Sequence, residues 1–248
     1  MSDLTLSLLK RTRSRRCKQW RTRMRKITDL LVAEHGTPTL GNFRDPVNEI
    51  FYIVLSARTT ESLYKQAHKR LSRRFPSLEA IANARVTELR NCVATAGLGK
   101  KRAVQIKAIA SKLLADFGPR PASKLRRLSA EDAYAALRSL PGVGPKSALC
   151  VMMYSLGFDV FPVDVHARRI LGRVGLIGPG AKHYHAQGVL PGFVPPDRSK
   201  ELHVALVIHG RRICKPRAPH CDDCPITHLC ATGSKRTHYR MSRGANVG

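Results

Sequence analysis

Acidic side chains are scarce in this sequence: Asp and Glu together number 17 against 44 Lys and Arg, a formal charge of +27 over 248 residues. That excess is larger than solubility asks for and marks a polyanion as the partner. Also missing are a long apolar run and an amphipathic helix with a hydrophobic face, so the charge is not meant for a lipid surface and nucleic acid remains. Val, Ile and Thr rarely alternate at strand spacing. No small-residue cleavage site closes Met1 to Leu9, and the basic run follows that segment instead of preceding it; a cytoplasmic, nucleoid-associated protein is expected. A chain this long needs no disulfide staples. Its seven cysteines, an odd number with four crowded near the end, point to metal ligation in a reducing compartment.

What is present is helical spacing. Apolar residues recur every three to four positions in Val47, Ile50, Phe51, Val54 and Leu55, and again in Ile106, Ile109, Leu113 and Leu114. Breaks at Gly36-Thr37-Pro38, Phe75-Pro76-Ser77, Gly97-Leu98-Gly99, Gly118-Pro119 and Pro141 to Gly144 cut the chain into lengths usual for a compact bundle. An all-α fold is therefore expected. Lys10 to Lys26 forms a basic run, read as a solvated arm that also offers non-specific phosphate contacts. Residues 178 to 196 read as loop, Glu201 to Gly210 as a further helix, and the end of the chain after Thr232 as a basic tail. Ala96 to Ala103 echoes Pro141 to Ala148, which implies two loops of one shape.

Leu140-Pro141-Gly142-Val143-Gly144 separates the helical stretches Ala130 to Ser139 and Pro145 to Leu156. Two glycines let the backbone turn sharply, and the helix that follows offers unpaired N–H groups to a phosphate, with Pro145 suited to its first position. Lys146 follows at once, and downstream Phe161-Pro162-Val163-Asp164-Val165-His166 sets one carboxylate in an apolar segment. Lysine attacks carbon when neutral, and partial desolvation favours that form. The plainer alternative makes Lys146 a phosphate contact and Asp164 a helix cap.

Leu140 to Ala148, with Val163 to His166 following, resembles the endonuclease III branch of the helix-hairpin-helix DNA glycosylases. The resemblance implies that Lys146 attacks the sugar C1′ and that Asp164 completes the catalytic site. Adenine-specific mismatch glycosylases of the same superfamily usually carry serine where Lys146 stands, so the lysine implies a bifunctional glycosylase and lyase. Base loss would build positive charge on the sugar, which Asp164 could stabilise while helping to deprotonate Lys146.

Cys214-x6-Cys221-x2-Cys224-x5-Cys230 gathers four thiols in one short loop. Structural zinc usually joins two close pairs across a longer insert, so thiolate-only ligation of a 4Fe-4S cluster suits the loop better. Zinc with His220 or His228 stays open as an alternative. The spacing is also that of the endonuclease III family. Ligation would fold a loop too poor in apolar residues to fold unaided and would fix Lys215, Arg217, Arg211 and Arg212 for phosphate contacts. Cys17, Cys92 and Cys150 are expected to pack as small apolar side chains.

A glycosylase must turn its target nucleotide out of the stack and prop the gap. The resemblance places the propping residues at Arg58 and Leu98; many family members have glutamine at the first position. Phosphate contact for Arg58 and loop packing for Leu98 are the plainer alternatives. Gly142, Val143, Gly144, His166 and Arg169 join Lys215 and Arg217 as candidate DNA contacts, a buried, satisfied side chain being an equally good account of His166, while Phe51, Tyr154 and Phe158 are expected in the core.

By the same resemblance, residues 40–158 form a six-helix barrel with the hairpin, residues 159–248 form the iron-sulfur domain and basic tail, and residues 1–39 supply a basic arm and a helix packing on that domain. The two helical domains would flank a DNA-binding cleft. Damaged, oxidised pyrimidines in double-stranded DNA and abasic sites are the expected substrates, with the protein acting as a monomer. A glycosylase for 5-methylcytosine, or for thymine or uracil opposite guanine, is a second reading. A non-catalytic helix-hairpin-helix DNA-binding protein is a third, and Lys146 discriminates against it.

Overall fold

The computed structural model describes residues 15–36, 38–178 and 180–234, with side chains at all of these except 15–17, 183 and 184. The first part of the basic arm, the basic tail beyond 234 and the Cys17 side chain lie outside the described residues. Among the described residues the regular structure is helical, without strands. In chain order the α-helices are α1 (Arg15–His35), α2 (Pro46–Ser56), α3 (Glu61–Arg74), α4 (Leu78–Asn83), α5 (Val86–Val93), α6 (Gly99–Phe117), α7 (Pro121–Leu125), α8 (Ala130–Ser139), α9 (Pro145–Ser155), α10 (Val165–Val174), α11 (His183–Val189) and α12 (Ser199–Arg212). They divide into two compact units, one drawn from Met1–Leu40 and Asp159–Gly248, the other Gly41–Phe158.

The Gly41–Phe158 unit follows its local signals. Asp45, Ser77 and Ser129 cap α2, α4 and α8 by accepting the N–H groups of Asn48 (2.8 Å), Ala80 (3.1 Å) and Asp132 (3.1 Å). The stripes read from the sequence turn inward: Ile50, Phe51 and Leu55 of α2 and Ile106, Ile109 and Leu113 of α6 are buried, as are Leu71, Leu89, Leu137 and Met152. Each such side chain contributes about 1.5–3 kcal/mol on leaving water. Buried Glu49 accepts from Asn42 Nδ2 (2.5 Å) and the Phe43 N–H (2.8 Å), which fixes the entry to α2. Phe51 is buried as expected, while Tyr154 and Phe158 are half-buried. Cys150 is buried and Cys92 only partly so.

The two echoing loops differ in shape. Gly97 and Gly142 share positive φ values of 73° and 69°, but Leu98 then takes a left-handed conformation and caps α6, whereas Gly144 caps α9 from an extended one. Leu98 is 58% exposed and its counterpart Val143 is buried. Similar letters led to different outcomes because each loop closes on different partners.

In the other unit, Trp20, Met24, Ile27 and Leu31 make one stripe of α1, and the last three are fully buried. Trp20 meets Phe193 edge-on, with ring centroids 6.4 Å apart. Arg21 and Arg23 donate to the carbonyls of Gly192 (3.1 Å) and Leu229 (2.7 Å). Residues 15–26 of the basic run are therefore helix, with two arginines given to backbone, which corrects the expectation of a solvated arm there. The stretch 178–196, expected as loop, holds α11 and a 3-10 turn at Leu190–Phe193. Burial of Ala186, Gln187 and Leu190 stabilises this stretch, an effect that composition does not reveal. The helix expected at 201–210 extends one turn further as α12 and is buried on nearly all sides.

Candidate functional site

The hairpin is a β-turn closed by the Val143 N–H on the Leu140 carbonyl at 3.1 Å. Pro141 occupies its second position and Gly142, at φ 69°, its third, which is the type II arrangement that glycine satisfies without strain. Gln105 Nε2 donates to the Pro141 carbonyl at 3.0 Å, and a Cβ on Gly142 would lie 2.5 Å from that same nitrogen. Val143 was a candidate DNA contact. Its side chain is buried, its N–H closes the turn and its carbonyl accepts from Arg138, so it holds the hairpin from within. Gly142 is exposed and Gly144 partly so. Pro145 opens α9 at its first position, and half-buried Lys146 stands on that first turn.

Asp164 caps α10, its Oδ1 accepting the Ala167 N–H at 2.8 Å. The cap reading is thus realised, and it fixes the direction of the carboxylate through Oδ1. The extended segment before it is held from two sides. Gln187 accepts the Val163 N–H (2.8 Å) and donates to the Phe161 carbonyl (2.9 Å), while His203 Nδ1 lies 3.0 Å from the Pro162 carbonyl. A carbonyl only accepts, so His203 carries its proton on Nδ1.

Arg58 and Leu98 are both exposed and are the only non-glycine residues of the Gly41–Phe158 unit with positive φ, at 56° and 53°, among the described residues. Leu98, at 58% exposure, is not packed into the core. His166 and Arg169, both candidate DNA contacts, face the end of α12, which for His166 is the alternative of a satisfied histidine. Arg169 Nε donates to the Cys214 carbonyl and Nη2 to the Gly210 carbonyl, each at 2.9 Å, and Nη2 lies 3.1 Å from His166 Nδ1. A Cβ on residue 210 would come within 2.4 Å of that His166 nitrogen, so a glycine is required there. Burial lowers the His166 pKa. These two residues brace the start of the cysteine loop.

Cys214, Cys221, Cys224 and Cys230 line one cavity with His209 and Ile226, and none forms a disulfide. Among the described residues no three His, Cys, Asp or Glu side chains stand at metal-ligand spacing. The donor set nevertheless fits a thiolate-bound group. Arg173 Nη1 donates to Cys214 Sγ (3.1 Å), the Gly233 N–H donates to Cys230 Sγ (3.4 Å), and His209 Nε2 lies 3.6 Å from Cys224 Sγ. Such N–H groups stabilise sulfur bearing negative charge. His209 is fully buried and paired through Nδ1 with His35 Nε2 at 3.1 Å; burial pushes its pKa down to about 4. Burial likewise pushes the Cys224 thiol up. Lys215 and Arg217 are exposed on this loop, whose backbone Arg173 holds through the carbonyls of Lys215 (2.8 Å) and Pro216 (2.7 Å).

Sequence reasoning did not single out Arg102, Arg173, Gln187 or His209 for any role. Each acts on backbone or sulfur brought from elsewhere in the chain, and no local motif marks such a residue.

A hairpin presenting a helix N-terminus, on an all-helical chain with a four-thiol loop, is the architecture of a helix-hairpin-helix DNA-processing protein. The fold matches a non-covalent endonuclease III–DNA complex with a TM-score of 0.77 at 24% identity, covering 88% of this chain and 98% of that one. The family model described as HhH-GPD superfamily base excision DNA repair protein matches residues 51–188. Relatives include a candidate DNA glycosylase of Arabidopsis thaliana, 33% identical over 183 residues, and endonuclease III of Bacillus subtilis, 27% identical over 195. These alignments cover 70% and 77% of this chain; the chain spans 62% of the Arabidopsis protein and 84% of the Bacillus one. The chain belongs to the HhH-GPD superfamily of base excision DNA repair proteins.

Proposed function

We propose that the chain is a bifunctional DNA glycosylase and abasic-site lyase that removes oxidised pyrimidines from double-stranded DNA. The observation that carries this reading is the hairpin. A type II turn feeds the N-terminus of α9, where N–H groups favour a phosphate, and Lys146 stands on the very next turn. A protein that only gripped DNA would need the turn but not an amine on it.

In this reading the neutral Lys146 amine bonds to C1′ of the damaged nucleotide while the N-glycosidic bond breaks, and the base leaves with the electron pair and takes up a proton. Asp164, oriented by its capping bond, would offset positive charge developing on the sugar, and the proton that Lys146 sheds goes to the departing base. The nitrogen lone pair then expels the ring oxygen, breaking C1′–O4′ as O4′ takes up a proton, and the imine so formed acidifies the C2′ proton, whose removal breaks the C3′–O bond and releases the 3′ phosphate. Water then releases Lys146. Gly142, Gly144, Lys215 and Arg217 contact phosphates, and Arg58 and Leu98 enter the space that the displaced nucleotide leaves. The four cysteines would hold a 4Fe-4S cluster whose contribution is to cross-link their loop.

The test is borohydride trapping on a duplex bearing an abasic site, run with a panel of single lesions that includes thymine opposite guanine. Lys146→Ala should abolish the covalent complex while duplex binding persists. Undiminished trapping would assign the nucleophile elsewhere, and excision confined to thymine opposite guanine would overturn the pyrimidine-damage reading.

A further inference from the structure

Arg102 lies on α6, one turn past Leu98, and is only 4% exposed despite its charge. A buried cation must spend its N–H groups well, because each one left unpaired costs desolvation energy. Each of the three guanidinium nitrogens of Arg102 donates to backbone. Nε donates to the Gly97 carbonyl (2.8 Å), Nη1 to the Val54 carbonyl and Nη2 to the Ala57 carbonyl. Its own backbone N–H donates to the Leu98 carbonyl at 3.0 Å. Both peptide units flanking Leu98 are therefore held by this one residue. The Ala57 carbonyl belongs to the peptide unit that leads into Arg58. The Val54 carbonyl is among those that α2 leaves without a partner inside the helix, where a cation is favourable.

From these bonds we infer that Arg102 is a positioning residue that couples Arg58 and Leu98, locking the two loops into one rigid element. The inference rests on the proposed glycosylase function, in which those two exposed side chains enter the duplex. Left-handed backbone at a non-glycine residue persists only where its surroundings over-determine it. Here one planar fork supplies the constraint to both positions at once. A lysine, with a compact charge on a flexible stem, cannot reproduce three fixed directions.

The experiment follows a duplex with 2-aminopurine beside a lesion that the wild-type protein removes, reading stack opening by fluorescence and excision under single turnover. Arg102→Lys should lower opening and the maximal excision rate by about 10- to 100-fold, with the half-saturating enzyme concentration little changed. In a double-mutant cycle with Leu98→Ala the losses should be markedly less than additive. A merely structural role would give additive losses and would overturn the inference. Should Arg102→Lys not fold, amide exchange on the wild-type protein decides: the amides of Arg58 and Leu98 should open with one shared free energy. Protection differing more than about tenfold between them refutes the coupling. Wild-type protein that opens no lesion duplex would instead refute the function on which the inference depends.

Discussion

Gln187→Leu tests how Asp164 is aimed. The amide of Gln187 is buried and bonds to both edges of the extended segment, at the Val163 N–H (2.8 Å) and the Phe161 carbonyl (2.9 Å). Leucine keeps a similar volume but leaves both backbone groups without that partner, in surroundings where Phe161 and Val163 are themselves buried. Each unsatisfied group costs about 1–3 kcal/mol, so a loss of about 3 kcal/mol is expected after partial relaxation. With about 2–4 °C per kcal/mol for a chain of this size, the melting temperature should fall by about 6–12 °C. The local assay is sharper. At about 1.4 kcal/mol per factor of ten, the Val163 amide should exchange about 100-fold faster than in the wild type. Gln187→Glu is the control, since its carboxylate still accepts from Val163 but cannot donate to Phe161. It should keep the Val163 amide protected while still losing stability. Exchange at Val163 within threefold of wild type in the leucine variant would refute the reasoning.

Gly142→Ala should cost about 2–3 kcal/mol in urea unfolding: about 1–2 for the left-handed backbone and about 1 for the Gln105 bond to Pro141 that the new Cβ displaces. Adding Gln105→Ala should cost less than the sum of the two changes, and strict additivity would count against a clash. Burial lowers the pKa of His68, which packs against Phe43 and Tyr52 beside Lys65, Lys69 and Arg73. Its unfolded form, with a pKa of about 6.5, therefore binds protons that the folded form refuses. Stability should hold above about pH 6.5, fall below it until the folded pKa is passed, and lose this slope in His68→Phe; an unchanged slope, read from urea melts, rejects the assignment. Protein purified without chelator should carry iron and broad visible absorption, both lost in Cys224→Ala, whereas a colourless zinc-loaded sample would overturn the cluster proposal.

Features that depend on near neighbours were legible in the sequence. Capping side chains bond three residues ahead, so Asp164 announces its helix locally. The Pro-Gly pair at 141 and 142 dictates its turn, because ring closure and a missing Cβ set the backbone angles within the residues themselves. The cysteine spacing likewise crowds four thiols whatever surrounds them. Echoing letters misled at Gly97-Leu98-Gly99, where the conformation is imposed by Arg102 and not by the loop's own residues.

The sequence by itself determined that the chain is helical, where the hairpin bends, which lysine follows it and which thiols share a loop, since all of these are set by interactions within about one helical turn. Only the tertiary structure decided what aims those groups. Gln187 reaches backbone 24 and 26 residues away, Arg102 reaches 45 and 48, and Arg169 reaches 41 and 45. A buried polar side chain takes whatever unpaired carbonyl or N–H group folding brings against it, and that pairing has no periodicity in the sequence to reveal it.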